Sequence, residues 1–194
     1  MAAVVVRRYL IPGACLATVF AIVASGCVAM QAGSHQPAST PFVLRSPEVA
    51  DGGQLPREFT GDGAAATLPL EWSGAPEGTR SFAVIMHHVA PDRTKWYWII
   101  YNIPAGTRSL PKNVKDVGTF GNNSVNGRTE YAPPHSKGPG PKTYIYTVYA
   151  LSAPFKLDVQ PADVSRDVLL AAMKDKTLAA AELHVVYSRD VGSE

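Results

Sequence analysis

The feature that most constrains this chain is a pair of apolar runs within residues 81–105, SFAVIMHHVAPDRTKWYWIIYNIPA. Both runs, 82–86 and 96–103, are rich in β-branched and aromatic residues, and a polar segment containing Pro91 and Asp92 separates them. Runs of this length and composition on either side of a turn are typical of two paired strands. We therefore predict a central β-hairpin around which the rest of the chain is arranged.

Two histidines close the first run. Side chains alternate between the faces of a strand, so His87 is expected on the face of Ala83 and Ile85, and His88 on the opposite face with Met86. Only one of the two can then line a given pocket. A polar ring at the end of an apolar strand, just before a proline turn, is a place where a β-protein can open a site. The alternative is that both rings bond to backbone carbonyl groups.

The first 26 residues have a different composition from the rest. Arg7 and Arg8 precede an apolar run, 9–24, and the small residues Ala24-Ser25-Gly26 lead directly to Cys27. This order is typical of a secretory signal peptide, and the run is too short for a membrane helix. The small residues before Cys27 resemble a lipobox, in which a diacylglycerol is attached to the thiol; plain signal-peptidase cleavage is the alternative.

The expected organisation is a lipoprotein signal peptide over 1–26, a small and polar tether over 27–40, and one domain over 41–190. Such a protein is exported and anchored in the cell envelope. If the cell has two membranes, Val28 after the cysteine indicates the outer one, by resemblance to lipoprotein sorting signals.

Charge and cysteine content exclude several classes of function. The chain has 18 Lys and Arg against 16 Asp and Glu, and removing Arg7 and Arg8 leaves 16 of each sign. This balance gives no basic surface for nucleic acid, so any membrane attachment has to come from the lipid on Cys27. The other cysteine, Cys15, leaves with the signal peptide, so we predict no disulfide, no cysteine-based metal site and no cofactor.

The remainder of the domain is predicted to be mainly β. The 16 Pro and 16 Gly separate short apolar runs, with further strands expected at 143–151 and 178–187. One helix is predicted before the last strand, with Ser165 as its N-cap and an apolar face at Leu169, Ala172 and Met173. Residues 105–141 form a long connection with an Asn126-Gly127 turn and a proline-rich end, and a loop of that length is usually functional or disordered.

Five stretches of the chain resemble, in order, the bacterial branch of the phosphatidylethanolamine-binding protein family, whose members are also called Raf kinase inhibitor-like. The stretches begin FVLRSPEV, LEWSGAPEG, WYWIIYNIPA, YAPPHSKGPG and LLAAMKDK, and the resemblance covers 42–189. It implies a sandwich of two antiparallel β-sheets with a C-terminal helix. It also implies a small surface pocket for anions, phosphoryl head groups or carboxylates.

The motifs of that pocket are altered in this chain. Where the family has Asp-Pro-Asp-Ala-Pro, residues 87–91 read His-His-Val-Ala-Pro, and Tyr97 replaces the histidine of the Trp-His-Trp type motif. The Gly-Pro-x-Pro-Pro loop corresponds to 131–136, and the following His-Arg-Tyr to 142–144. The resemblance thus implies a ligand-binding set without acids, made of His87, Ala90, Pro91, Tyr97, His135, Ser136, Lys142 and Tyr144.

Three hypotheses for the function follow. The favoured one is a non-catalytic envelope protein that binds a small anionic ligand or a phospholipid head group, more tightly as pH falls and His87 and His135 gain protons. The second is an inhibitor that binds a protein partner, as some members of the family do with kinases or proteases. The third is a hydrolase that uses both histidines with Tyr97, although no metalloprotease or serine-hydrolase motif is present.

Overall fold

The computed structural model describes residues 40–136 and 140–189. The strands, in chain order, are β1 (Val43–Arg45), β2 (Gly53–Gln54), β3 (Leu70–Ser73), β4 (Ser81–Val89), β5 (Thr94–Pro104), β6 (Ser109–Leu110), β7 (Thr119–Phe120), β8 (Lys142–Leu151) and β9 (Thr177–Tyr187). One helix, α1 (Arg166–Met173), precedes β9, and short 3-10 turns lie at Arg57–Phe59 and Pro161–Asp163. The prediction of a mainly β domain with one helix near the C-terminus is confirmed.

Strands β4 and β5 form the predicted hairpin at the centre of a six-stranded sheet, ordered β2-β9-β8-β4-β5-β7. Strand β4 is antiparallel to both of its neighbours, β5 and β8, and β8 is antiparallel to β9. The two-residue β2 pairs in parallel with β9, a detail that the antiparallel prediction did not contain. The first seven residues of β4 are all buried, and the apolar ones among them belong alternately to a core cluster on one face of the sheet and to a second cluster on the other.

A three-stranded antiparallel sheet, β1-β3-β6, packs over one face of the large sheet and completes the sandwich. Its inward side chains include Leu44, Leu70 and Trp72, which belong to the same buried cluster as Val84 of β4. The Trp72 ring lies 5.3 Å from the ring of Phe82, centroid to centroid. Full burial of each large apolar side chain is worth about 1.5–3 kcal/mol, so this layer holds the two sheets together.

Helix α1 packs on the other face of the large sheet. The Ser165 hydroxyl accepts a hydrogen bond from the Val168 amide at 3.3 Å, as expected of an N-cap. Leu169 and Met173 are buried in a second cluster, together with Ala83 and Ile85 of β4. The predicted N-cap and apolar helical face are therefore confirmed, and both faces of the central hairpin are covered.

The long connection after β5 contains two strands that the sequence did not indicate, β6 and β7. Each has only two residues, too few for an apolar alternation to be visible. The predicted turn at Asn126 is present, and Gly127 has a φ of 75°, a left-handed conformation that glycine adopts without strain. The Asn123 side chain organises this loop by accepting from the amides of Val125 and Asn126, each at 2.9 Å.

The predicted signal peptide, 1–26, and nearly all of the predicted tether, 27–40, lie outside the described residues. Both therefore stay predictions, as does the lipid on Cys27. Within the described ranges, no helix has the length and the apolar character needed to cross a membrane.

Candidate functional site

A cleft of about 310 Å³ opens at the end of the large sheet where the β4–β5 turn, the start of β8 and the proline-rich loop before β8 come together. Its volume is at the lower end of the range for small-molecule sites. The described residues that line it are Arg93, Lys95, Tyr97, Ser124, Val125, Pro133, His135, Ser136, Lys142 and Tyr144. Five of the eight residues implied by the family motifs are therefore brought together here.

Strand β5 and the residue just before it supply three of these side chains, through the alternation of the strand and one irregularity. Arg93, Lys95 and Tyr97 are spaced by two residues and all line the cleft. Met86 pairs with Trp98 and His87 with Trp96, so Tyr97 is the extra residue of a β-bulge. A bulge re-aims side chains, and here it lets Tyr97 share the inner side of the sheet with Trp98.

Tyr97 and Tyr144 form the inner wall of the cleft. Their rings meet edge to face with centroids 5.2 Å apart, and Tyr97 is 8% and Tyr144 1% exposed. Burial raises the pKa of both phenols, so both are neutral donors at physiological pH. The neighbouring Tyr144 hydroxyl partly offsets the rise in the pKa of Tyr97.

The proline-rich loop supplies the opposite wall. The Ala132 amide donates to the Tyr97 carbonyl oxygen at 2.8 Å, which fixes this loop to the β-bulge. The Ser136 backbone amide lies close to the Tyr144 hydroxyl and tends to lower the pKa of that phenol. Ser136 has a φ of 41°, and its Oγ is buried with no hydrogen-bond partner in the described structure. A strained residue that holds an unsatisfied hydroxyl in a cleft is typical of a functional site.

His135 lies over a glycine at the edge of this loop. The Gly61 amide donates to the Pro134 carbonyl oxygen at 2.9 Å, so the two segments are held together. A Cβ at Gly61 would lie 2.0 Å from Cε1 of the His135 ring, which shows that the imidazole occupies the space of the missing side chain. The ring is nevertheless exposed on its other side and faces the cleft.

The described lining is basic. Arg93, Lys95 and Lys142 carry positive charge, and no described lining residue is Asp or Glu. Arg93 makes an ion pair with Asp92 at 3.0 Å, in which both side chains are largely exposed, so water screens this contact. A cavity with cationic and hydroxyl donors and without carboxylates is suited to negatively charged oxygen ligands.

The structure does not bring His87, which the family motifs imply for the site, to this cleft. Its ring lies on the opposite face of the sheet. On that face His87 is paired with Ile145 of β8, and Ile145 is paired with His184 of β9. His87 is only 9% exposed, and its pKa is lowered first by burial and then by the positive charge of Arg166, at the start of α1. The alternation that placed His87 with Ile85 was correct, but the cleft opens on the other face.

His88 has the structural role that the sequence offered as the alternative. Its Nδ1 lies 2.8 Å from the Thr143 carbonyl oxygen, and its ring packs beside Tyr144, with centroids 5.5 Å apart. His88 therefore supports the tyrosine wall. Ala90 and Pro91 do not line the cleft either; the Ala90 amide donates to the Arg93 carbonyl oxygen at 2.9 Å and closes the turn. These two residues position Arg93.

Sequence reasoning missed five residues of the lining: Arg93, Lys95, Ser124, Val125 and Pro133. The first two could have been found, because they share the period of two with Tyr97. Ser124 could not, because its place depends on long-range hydrogen bonds: its Oγ accepts from the Trp96 amide and donates to the Trp96 carbonyl oxygen, each at 2.9 Å. Among the residues that the structure describes, no three His, Cys, Asp or Glu side chains are grouped so as to hold a metal ion.

Comparison with known proteins agrees with this architecture. The chain is 33% identical over 151 residues to a UPF0098 protein of Methanothermobacter thermautotrophicus, covering 75% of this chain and 98% of the relative. It is 32% identical over 167 residues to the UPF0098 protein YbcL of Escherichia coli, covering 75% of this chain and 87% of that protein.

Solved structures give the same result. The crystal structure of a phosphatidylethanolamine-binding protein homologue from Chlamydia trachomatis superposes with a TM-score of 0.71 at 26% identity, over 78% of this chain and 100% of that one. The crystal structure of Escherichia coli YbcL gives 0.69 at 28% identity, with the same coverage. The sequence model of the family described as phosphatidylethanolamine-binding protein matches residues 45–188. The chain therefore belongs to the phosphatidylethanolamine-binding protein family.

Proposed function

We propose that this protein binds a small anion or a phosphoryl head group in the cleft, without catalysing a reaction, while a lipid on Cys27 holds it in the cell envelope. The observation that carries the proposal is the combination of three cationic side chains and buried hydroxyl groups with no Asp or Glu in the described lining. Charge-assisted hydrogen bonds from such donors to oxyanions are short and strong.

The inner wall of the cleft supports the same conclusion. Burial keeps the Tyr97 phenol neutral, so its proton can be donated to a ligand oxygen. The orphan Oγ of Ser136 offers a second donor, and leaving such a buried group unpaired costs about 1–3 kcal/mol, which a bound anion would recover.

The proposed anchor rests on the sequence alone. Ala24-Ser25-Gly26 before Cys27 suits the attachment of a diacylglycerol, and two acyl chains are enough for stable attachment to a bilayer. The domain would then lie on the membrane surface of the envelope, in the outer membrane if the cell has two, where phospholipid head groups and small anions are both available.

Isothermal titration of the purified protein with inorganic phosphate and with acetate tests the binding proposal. Replacing Tyr97 by Phe removes this phenol donor, and because a hydrogen bond to a charged group is worth about 1.5–3 kcal/mol, the affinity should fall by about tenfold or more. Lys95→Gln should also weaken binding, whereas Lys156→Gln, an exposed lysine outside the cleft, should leave it unchanged.

Absence of heat with either anion would refute the proposal and favour the protein-partner hypothesis, which predicts a target recovered by crosslinking. The hydrolase hypothesis is weakened on geometric grounds. It needs His87 and His135 at one site, and His87 faces the helix side of the sheet while His135 faces the cleft.

A further inference from the structure

We propose that the cleft selects phosphoryl esters whose organic substituent carries no positive charge, and that it discriminates against the zwitterionic phosphoethanolamine group. The inference rests on the proposed function, because it concerns which anion the same cleft accepts. It is carried by three properties of the described lining: the distribution of its charges, its supply of hydroxyl donors and the burial of those donors.

The first property is charge. An ammonium group next to a bound phosphoryl group needs a carboxylate or several free acceptor oxygens to replace its hydration. No Asp or Glu is among the described lining residues. Two carboxylates close to the cleft residues are already engaged. Asp92, which precedes Arg93, forms an ion pair with it. Asp62, which follows Gly61, accepts from the Tyr187 hydroxyl and pairs with Arg189 at 3.0 Å.

The second property is the supply of hydroxyl donors. Ser124 Oγ accepts from the Trp96 amide and gives its own proton to the Trp96 carbonyl oxygen. Tyr97 and Tyr144 are buried, neutral phenols, so each brings a proton that can be donated to a ligand oxygen. Ser136 Oγ is buried without a partner in the described structure and can donate as well. This wall therefore offers donors to an oxyanion but no carboxylate to an ammonium group.

The third property is the gradient of burial, which sets the direction of the ligand. Ser136 and Tyr144 are 3% and 1% exposed, whereas Arg93 is exposed and Val125 is 52% exposed. The phosphoryl group thus belongs at the buried, donor-rich end, and its ester substituent leaves past Arg93, Lys95 and Val125. An uncharged substituent can pack against Val125 there, but an ammonium group would approach two cations.

Three esters of nearly equal size test this inference: ethyl phosphate, 2-hydroxyethyl phosphate and O-phosphoethanolamine. Each is titrated calorimetrically against the purified protein at pH 7.5 and low ionic strength. We expect the two uncharged substituents to bind alike and O-phosphoethanolamine to bind at least about tenfold more weakly, because like charges close together in a partly desolvated site repel by about that factor. Equal affinity for all three esters would overturn the inference while leaving anion binding intact; no binding of any ester would overturn the proposed function itself.

A charge reversal gives a second readout that does not depend on absolute affinity. Lys95→Glu places a carboxylate in the cleft and should reduce the preference for 2-hydroxyethyl phosphate over O-phosphoethanolamine. Lys156→Glu, outside the cleft, should leave the preference as in the unsubstituted protein, and an unchanged preference in Lys95→Glu would contradict the inference.

Vesicles distinguish a lipid ligand from a soluble one of the same chemistry. Vesicles of phosphatidylcholine, either alone or containing phosphatidic acid or phosphatidylethanolamine, are sedimented with the protein and with its Tyr97→Phe variant. Binding that requires both phosphatidic acid and Tyr97 identifies a lipid source, and binding of the soluble esters alone identifies a free phosphate ester. Stronger binding to vesicles containing phosphatidylethanolamine than to those containing phosphatidic acid would contradict the inference.

Discussion

Replacing Gly61 by alanine should weaken anion binding without unfolding the protein, although Gly61 itself does not line the cleft. The new Cβ would lie 2.0 Å from Cε1, 2.3 Å from Nε2 and 2.4 Å from Nδ1 of His135. Ordinary contact begins at 3.4 Å, so the imidazole has to move away by about 1.4 Å or rotate out of the cleft. The backbone cannot give way as easily, because the Gly61 amide is bonded to Pro134.

The two effects of the substitution should differ in size. The displaced ring is exposed on one side, so the free energy of unfolding should change by less than about 1 kcal/mol. The ligand loses a donor to a charged group, which is worth about 1.5–3 kcal/mol, so phosphate affinity should fall by about tenfold or more. Urea denaturation measures the first quantity and calorimetric titration with inorganic phosphate at pH 6 measures the second.

Gly106→Ala is the matched control. A Cβ at Gly106 has no atom within 4 Å and the residue has no positive φ, so this substitution should stabilise the protein slightly and leave phosphate affinity unchanged. His135→Ala should reproduce the loss of affinity seen in Gly61→Ala. If Gly61→Ala binds phosphate like the unsubstituted protein while His135→Ala does not, the placement of the imidazole over Gly61 is refuted.

Three further predictions concern other parts of the chain. Burial lowers the pKa of His87 below the usual histidine value of about 6.5. Between that value and the lowered pKa, the unfolded chain binds more protons than the folded protein, so the free energy of unfolding should fall as pH drops through this range. His87→Phe should flatten this decline in urea denaturation between pH 7 and pH 5; equal slopes would contradict the assignment of the decline to His87. Asn102→Gly should lower the free energy of unfolding by about 1–3 kcal/mol in the same assay, because it removes the two hydrogen bonds between the Asn102 side-chain amide and the Phe155 backbone, at 2.7 and 3.1 Å. Glycine tolerates the φ of 54° at this position, so the backbone itself is not strained. An unchanged urea midpoint would contradict a stabilising role for these two hydrogen bonds. Cys27→Ala should release the protein from the membrane fraction, and pelleting at the original level would rule out the lipid anchor.

The fold was predictable where the chain carries long periodic signals. The hairpin of β4 and β5, the strand β8 and the capped helix α1 were all visible as runs or apolar faces. The two-residue strands β6 and β7 were not, because their pairing depends on partners far along the chain. Short strands of this kind are set by tertiary contacts rather than by local sequence.

The site was predictable in part, for an equally physical reason. Motif positions identified Tyr97, His135, Ser136, Lys142 and Tyr144, which the structure brings to one cleft. They also included His87, which lies on the other face of the sheet from this cleft, because a motif gives the position of a residue along a strand but not the face on which a cleft opens. The β-bulge at Tyr97 added to the difficulty, since an extra residue changes the alternation and is invisible in the sequence.

The most direct test of the account is to follow the backbone amide signals of the protein by NMR while inorganic phosphate is added. We expect saturable shifts centred on Tyr97, Ser136 and Tyr144, together with the Arg93–Lys95 segment, and small shifts around His87 and α1. Shifts centred instead on the helix face near His87, or no saturable shift at millimolar phosphate, would contradict the claim that this cleft is the anion-binding site.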